Sequence, residues 1–169
     1  MSGLTKYLFC CFVFIVVGCS GFEFVYKDAP IINKIKENAI YDISGDDREI
    51  LASQFYIYLG TPNYMGDYVI KINSEFSETP IVIEQDASAS KIEIVHNIKY
   101  ELKQKKSGCL IFLKEVTSRS SYNQRSSGYN FTSDFSKEEI IKSNLDTNLN
   151  LFLKFLMAEL NELKCINED

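Results

Sequence analysis

The sequence predicts an α+β two-layer sandwich: a mostly antiparallel or mixed sheet of four to five strands, with two helices at about 47–59 and 137–163 on one face. Three observations predict it. Between Lys91 and Lys103 the chain alternates, placing Ile92, Ile94, Ile98, Tyr100 and Leu102 on one side and Lys91, Glu93, Lys99, Glu101 and Lys103 on the other. A sheet with one buried and one wet face has this pattern. Further on, Ile141, Leu145, Leu149, Phe152, Leu153, Leu156, Leu160 and Leu163 recur at steps of three and four, the stripe of a long helix. Upstream, Ile50, Leu51, Phe55, Tyr58 and Leu59 repeat the same period over a shorter span.

Taken in chain order, Phe22, Phe24 and Tyr26 alternate with Glu23 and Val25 and read as a short strand, and Ile35 to Ser44 reads as another that Gly45 closes. Asp46-Asp47-Arg48-Glu49 has the D-x-x-E pattern of a capped helix start, where an acidic oxygen accepts an orphan backbone N–H. Gly60 and Pro62 end that helix. Tyr68, Ile70, Ile72 and Phe76 share one strand face, and Pro80 to Glu84 forms a second short run. The polar turn Lys103–Gly108 joins the strand at 91–103 to one resuming at Cys109, an antiparallel hairpin. Ser118 to Ser133, rich in Ser, Asn and Tyr, reads as strand end plus loop, and Ser136-Lys137-Glu138-Glu139 is a second capping box before the long helix.

Residues 1–18 stand apart from this fold. Lys6 precedes the apolar run Tyr7–Val17, which falls well short of the roughly 20 residues that span a bilayer. It has the layout of a signal peptide. The four residues "VVGC" look like a bacterial lipobox: Gly18 supplies the small residue and Cys19 the lipid site, while Val16 and Val17 stand where Leu and Ala or Ser are commonest. Cleavage after Gly18 leaves a single domain, 19–169, whose formal charge moves from −5 to −6 because only Lys6 is lost. An acidic domain of this kind is a poor non-specific ligand for nucleic acid. The plainer reading is an ordinary signal peptide, or a short anchor, with an incidental cysteine.

The mature domain shows no catalytic signature. His96 is the only histidine and shares a strand face with Ile94 and Ile98, the setting of a hydrogen-bonded core residue. With Cys109 and Cys165 it shows no metal-ligand spacing. Whether those two cysteines pair cannot be read from sequence. Glycines stand singly, so no phosphate loop is present, and the acid pairs Asp46-Asp47 and Glu138-Glu139 sit at predicted helix starts, where the macrodipole favours them. The basic residues Lys91, Lys99 and Lys103 on the wet sheet face, and Arg119 and Arg125 among hydroxyls and amides, suit phosphate contact; they equally suit a solvated face and a self-bonded loop.

Several stretches agree with one family. The start "CSGFEFVY" resembles the Cys-Gly-Phe-x-Pro-Leu-Tyr opening of alphaproteobacterial LPS-assembly lipoproteins, the LptE family. "IEQDASASKIEIVHNIKYELKQKKSG" looks like that family's strand, acidic turn and hairpin, and Ser121-Tyr122-Asn123 in "SRSSYNQRSSGYNFTS" is similar to its Ser-Tyr-Asn loop ahead of the C-terminal helix. Departures are Ser20 before the Gly-Phe pair, Val25-Tyr26 in place of Pro-Leu-Tyr, and Ser90-Lys91 where Thr-Arg is usual; Lys91 keeps a charge but lacks the bidentate fork.

The resemblance implies a non-catalytic, cofactor-free outer-membrane lipoprotein facing the periplasm, carrying diacylglycerol and an N-acyl chain on Cys19. Ser20 after that cysteine is compatible with export to the outer membrane. Such proteins plug and help assemble a large barrel partner, LptD, and assist delivery of lipopolysaccharide, for which Lys91, Arg119 and Arg125 are the candidate contacts. The alternative is a stand-alone envelope lipoprotein binding a small or lipidic ligand between sheet and helices. An envelope hydrolase would need a nucleophile or acid set that the chain does not display.

Overall fold

A computed structural model describes residues 30–83, 89–123, 131–160 and 162–166. The order of elements is α1 (Pro30–Asn38), β1 (Ala39–Gly45), α2 (Arg48–Leu59), β2 (Tyr68–Ile83), β3 (Ala89–Gln104), β4 (Leu110–Asn123) and α3 (Phe131–Glu159). The sheet runs β1-β2-β3-β4; β1 pairs parallel with β2 through the α2 crossover, and the other pairs are antiparallel. The architecture is the predicted α+β sandwich with a mixed four-stranded sheet.

Alternation on the sheet is as the sequence requires. Ile70, Ile72, Ile94, Ile98, Tyr100 and Leu102 are buried, and Lys71 and Lys99 point to the open side. Against this face α3 lays Leu145, Leu149, Phe152 and Leu156, and α2 lays Leu51, Phe55 and Leu59. The centre is aromatic: Tyr100 stacks on Phe152 with ring centroids 4.1 Å apart, and Phe55 and Phe112 complete the group. Offset and tilted ring pairs of this kind contribute beyond their buried area.

Several boundaries differ from the sequence reading. Residues Ile35 to Asn38 are helical, not strand: Pro30 stands first in α1, where its missing N–H costs no bond, and Ile31, Ile32 and Ile35 form a buried helical stripe. The run Pro80 to Ile83 is the end of β2, not a separate strand; it stays paired to β3 across a register irregularity. The proposed strand around Phe22 to Tyr26 lies outside the described residues. The long helix starts at Phe131, ahead of the Ser136 box that the sequence offered as its start, and it stops at Glu159. That early stop has a covalent cause: Cys165 is bonded to Cys109, and the Ile166 N–H donates to the Leu110 carbonyl at 2.7 Å, so the chain must leave the helix to reach the β3–β4 hairpin.

The turn after β1 also corrects the capping expectation. Gly45 adopts φ +90, and a Cβ there would stand 2.0 Å from the Ser74 carbonyl oxygen. Asp47 sits at φ 51 and makes no side-chain cap to α2. Asp46 instead prolongs the sheet: its N–H donates to the Ser74 carbonyl and its Oδ2 accepts the Phe76 N–H, both at 2.9 Å. By alternation Pro80 falls on the same outward-facing set as Ser74 and Phe76, where a missing N–H removes no bond to β3.

Candidate functional site

The open sheet face collects the sequence-predicted basic residues. Lys91 pairs in register with Asn123, and Arg119 with Val95, near the end where β2 and β3 outrun β1. Arg119 is mostly exposed, with Nη1 3.9 Å from the Glu93 carboxylate. Lys91 and Arg119 thus share one face with an acid between them. Arg125 and Cys19 lie outside the described residues.

Towards the other end of the same face, Glu101 lies between two lysines, with Lys103 Nζ at 2.6 Å and Lys99 Nζ at 2.9 Å. Their hydrogen bonds, that of Lys103 first, bring the Glu101 carboxyl down to about 2, and Glu101 in turn raises Lys99. Asp42, Ser44, Lys71 and Asn73 join Lys99 and Glu101 around a depression of about 230 Å³. Lysines satisfied by neighbouring carboxylates hold less attraction for an added anion than free ones. The face is therefore a mixed-charge surface suited to many weak polar contacts rather than one tight anion site.

The Ser121-Tyr122-Asn123 stretch is the end of β4, not a loop. Tyr122 turns inward to the core, and its hydroxyl donates to Glu78 Oε1 at 3.3 Å. Lys137 Nζ, from α3, lies 2.7 Å from the same carboxylate, which raises the lysine. Three elements meet at Glu78.

Between the layers runs a buried polar seam that the apolar stripe conceals in the sequence. His96 is fully buried, its Nδ1 3.2 Å from Asn144 Oδ1 and its Nε2 2.9 Å from Asp47 Oδ2, with the Phe76 ring 5.0 Å away. The Ser118 hydroxyl donates to Asn144 Oδ1, and Asn144 Nδ2 donates to Ser120 at 2.8 Å. Asn148 Nδ2 serves the Val116 carbonyl at 2.8 Å and Ser118 at 3.0 Å, while its Oδ1 accepts from Tyr100 at 2.8 Å. Burial drives the Tyr100 hydroxyl far above its usual range. The signal for this seam was present: Asn144 and Asn148, four residues apart, each precede a leucine of the buried stripe.

Chemically the seam is a fastening. His96, Ser118, Asn144 and Asn148 are each at most 4% exposed, and the Ser118 hydroxyl is directed at Asn144 rather than at His96. Among the described residues no group of three or more His, Cys, Asp or Glu side chains is placed to hold a metal ion.

Comparison with known proteins gives the fold a context. No family model and no curated protein sequence matches the chain. Solved structures do. A protein assigned as a lipoprotein in Caulobacter crescentus CB15 is similar over 80% of this chain and 98% of its own, at 12% identity and TM-score 0.58. The minor lipoprotein of Acinetobacter baumannii matches over 73% and 92%, at 12% identity and TM-score 0.54. Rare lipoprotein B of Shewanella oneidensis matches over 72% and 96%, at 8% identity and TM-score 0.52. The sandwich built from these residues is a fold shared with bacterial lipoproteins.

Proposed function

We propose that this chain is an envelope lipoprotein of the lipopolysaccharide transport machinery, acting in the LptE manner without catalysis. The observation that carries the reading is the conjunction of a lipobox at Cys19 with a sandwich shared with bacterial lipoproteins, rare lipoprotein B among them. The Cys109–Cys165 disulfide adds support, since such bonds persist in oxidising compartments such as the periplasm. In this reading acyl chains on Cys19 anchor the domain at the outer membrane, facing the periplasm, with no cofactor beyond those chains. The compact sandwich occupies the lumen of an LptD-like barrel and assists its assembly. The mixed-charge face meets barrel wall or lipopolysaccharide phosphates, with Lys91, Arg119 and Arg125 as contacts.

The test is purification of tagged protein in mild detergent from its own envelope. Recovery of a large β-barrel partner is expected, and elution alone under conditions that preserve outer-membrane complexes contradicts the role. The N-terminal peptide should carry acyl chains on Cys19, read from its mass; an unacylated Cys19 contradicts the anchor. A stand-alone ligand-binding lipoprotein would pass the second test and fail the first.

A further inference from the structure

The loop between α2 and β2 presents large apolar side chains to solvent. Tyr64 is 75% exposed and Met65 91%, and Ile57, on the last turn of α2, is 76% exposed. The loop is pinned beneath them. The Asn63 N–H donates to the Ala39 carbonyl at 2.9 Å, Asn63 Nδ2 to the Glu37 carbonyl at 2.7 Å, and the Met65 N–H to Asn63 Oδ1 at 3.0 Å. Gly66 is buried against the Asn38 carbonyl, where a Cβ would stand 2.2 Å from the oxygen. Tyr64 and Met65 are held outward by a bonded turn.

The surroundings of this loop are basic in a chain of net charge −5. Lys105 Nζ donates to the Tyr64 carbonyl at 3.1 Å, and Lys106 is 85% exposed, 3.7 Å from Asp67. Lys34 and Lys36 of α1 lie just upstream of Glu37, which the loop contacts. Four lysines thus accompany two acids, Glu37 and Asp67. Tyrosine and apolar side chains with lysines nearby are the composition of a membrane–water interface.

We propose that this loop rests on a bilayer surface carrying anionic headgroups, outside the barrel lumen that receives the rest of the sandwich. The chain's own geometry favours that occupant. The loop contacts Glu37 and Asn38 at the end of α1, a helix of about 13 Å whose other end, Pro30, is joined to Cys19 by a segment of at most about 40 Å. A bilayer laid on the loop is within easy reach of that tether. The far tips of β2 and β3 lie about 50 Å along the strands, which would require α1 and the tether stretched end to end. The tether rests on the lipoprotein reading above; the exposed loop and its lysines do not.

The chain has no tryptophan, so one introduced indole reports its own position. The acylated Met65→Trp chain, reconstituted in phosphatidylethanolamine–phosphatidylglycerol vesicles containing brominated lipid, should lose emission and shift to the blue. Val82→Trp, at the exposed tip of β2, should do neither. Replacing Lys105 and Lys106 by Gln should weaken partitioning of the unacylated Cys19→Ala chain by about fivefold per lysine. An acylated chain whose Met65→Trp emission is unquenched overturns the proposal, as does quenching at Val82→Trp alone, or a shift appearing only when a barrel partner is added. Mass measurement of the N-terminal peptide separates the readings: an unacylated native chain sinks the lipoprotein reading, while quenching of its Met65→Trp on the same vesicles still supports the surface.

Discussion

Asp47 Oδ2 lies 2.9 Å from Nε2 of His96, joining the turn after β1 to a fully buried position in the centre of the sheet. The residue that stands at the N-cap position of α2 is drawn to a long-range partner, because a buried imidazole left without one costs more than an uncapped, solvated helix end. Asp47→Ala should therefore destabilise the domain by about 1–3 kcal/mol, and Asp47→Asn, which keeps an oxygen, by less. Urea unfolding checks this; an alanine variant with the parent's midpoint contradicts it.

The asparagines of α3 are expected to behave likewise. Asn148→Leu removes the partner of the Tyr100 hydroxyl and a donor to the Val116 carbonyl, both deep in the core. A loss of about 2–3 kcal/mol is expected, against near neutrality for Ser143→Leu, exposed on the same helix. Equal effects at the two positions would deny the seam its fastening role.

Acid should act through Glu101. Its carboxyl is held at about 2, below the 4.5 of an ordinary glutamate, so its contribution is fully present above about 4.5 and disappears as pH falls towards 2. Comparing unfolding midpoints of the parent and Glu101→Gln from pH 6 to pH 2.5 should show the parent falling more steeply. Parallel curves would mean that the lysine pair adds nothing.

Reduction of Cys109–Cys165 opens a closure of 56 residues of sequence separation, worth about 4 kcal/mol on the chain-entropy account. The Cys109→Ser, Cys165→Ser double variant should unfold at markedly lower urea, and reductant should shift the parent but not the variant. A parent insensitive to reductant at equilibrium would show the bond to be thermodynamically silent.

Phe152 is fully buried, with ring contacts to Phe55, Tyr100 and Phe112. Phe152→Ala should cost about 3–5 kcal/mol, and Phe152→Leu distinctly less. A calorimetric scan that ranks leucine below alanine would contradict that packing.

Much of this molecule is determined by periodicity alone. The alternation from Lys91 to Lys103 and the leucine stripe from Ile141 to Leu156 dictate a one-sided sheet and the helix that covers it, because each pattern buries its apolar atoms in only one backbone geometry. The lipobox-like "VVGC" is likewise a local pattern, read from neighbouring residues. What only the tertiary structure decided are relations between distant residues: Cys109 with Cys165, Asp47 with His96, the parallel pairing of β1 with β2, and the exposure of Tyr64 and Met65. None of these has a period or a fixed spacing. Each depends on which surfaces the packed layers bring within a few ångströms, and Ile35–Asn38 reads as strand although it is helical for the same reason, the helix being chosen by the core beneath Ile31, Ile32 and Ile35 rather than by neighbours in sequence.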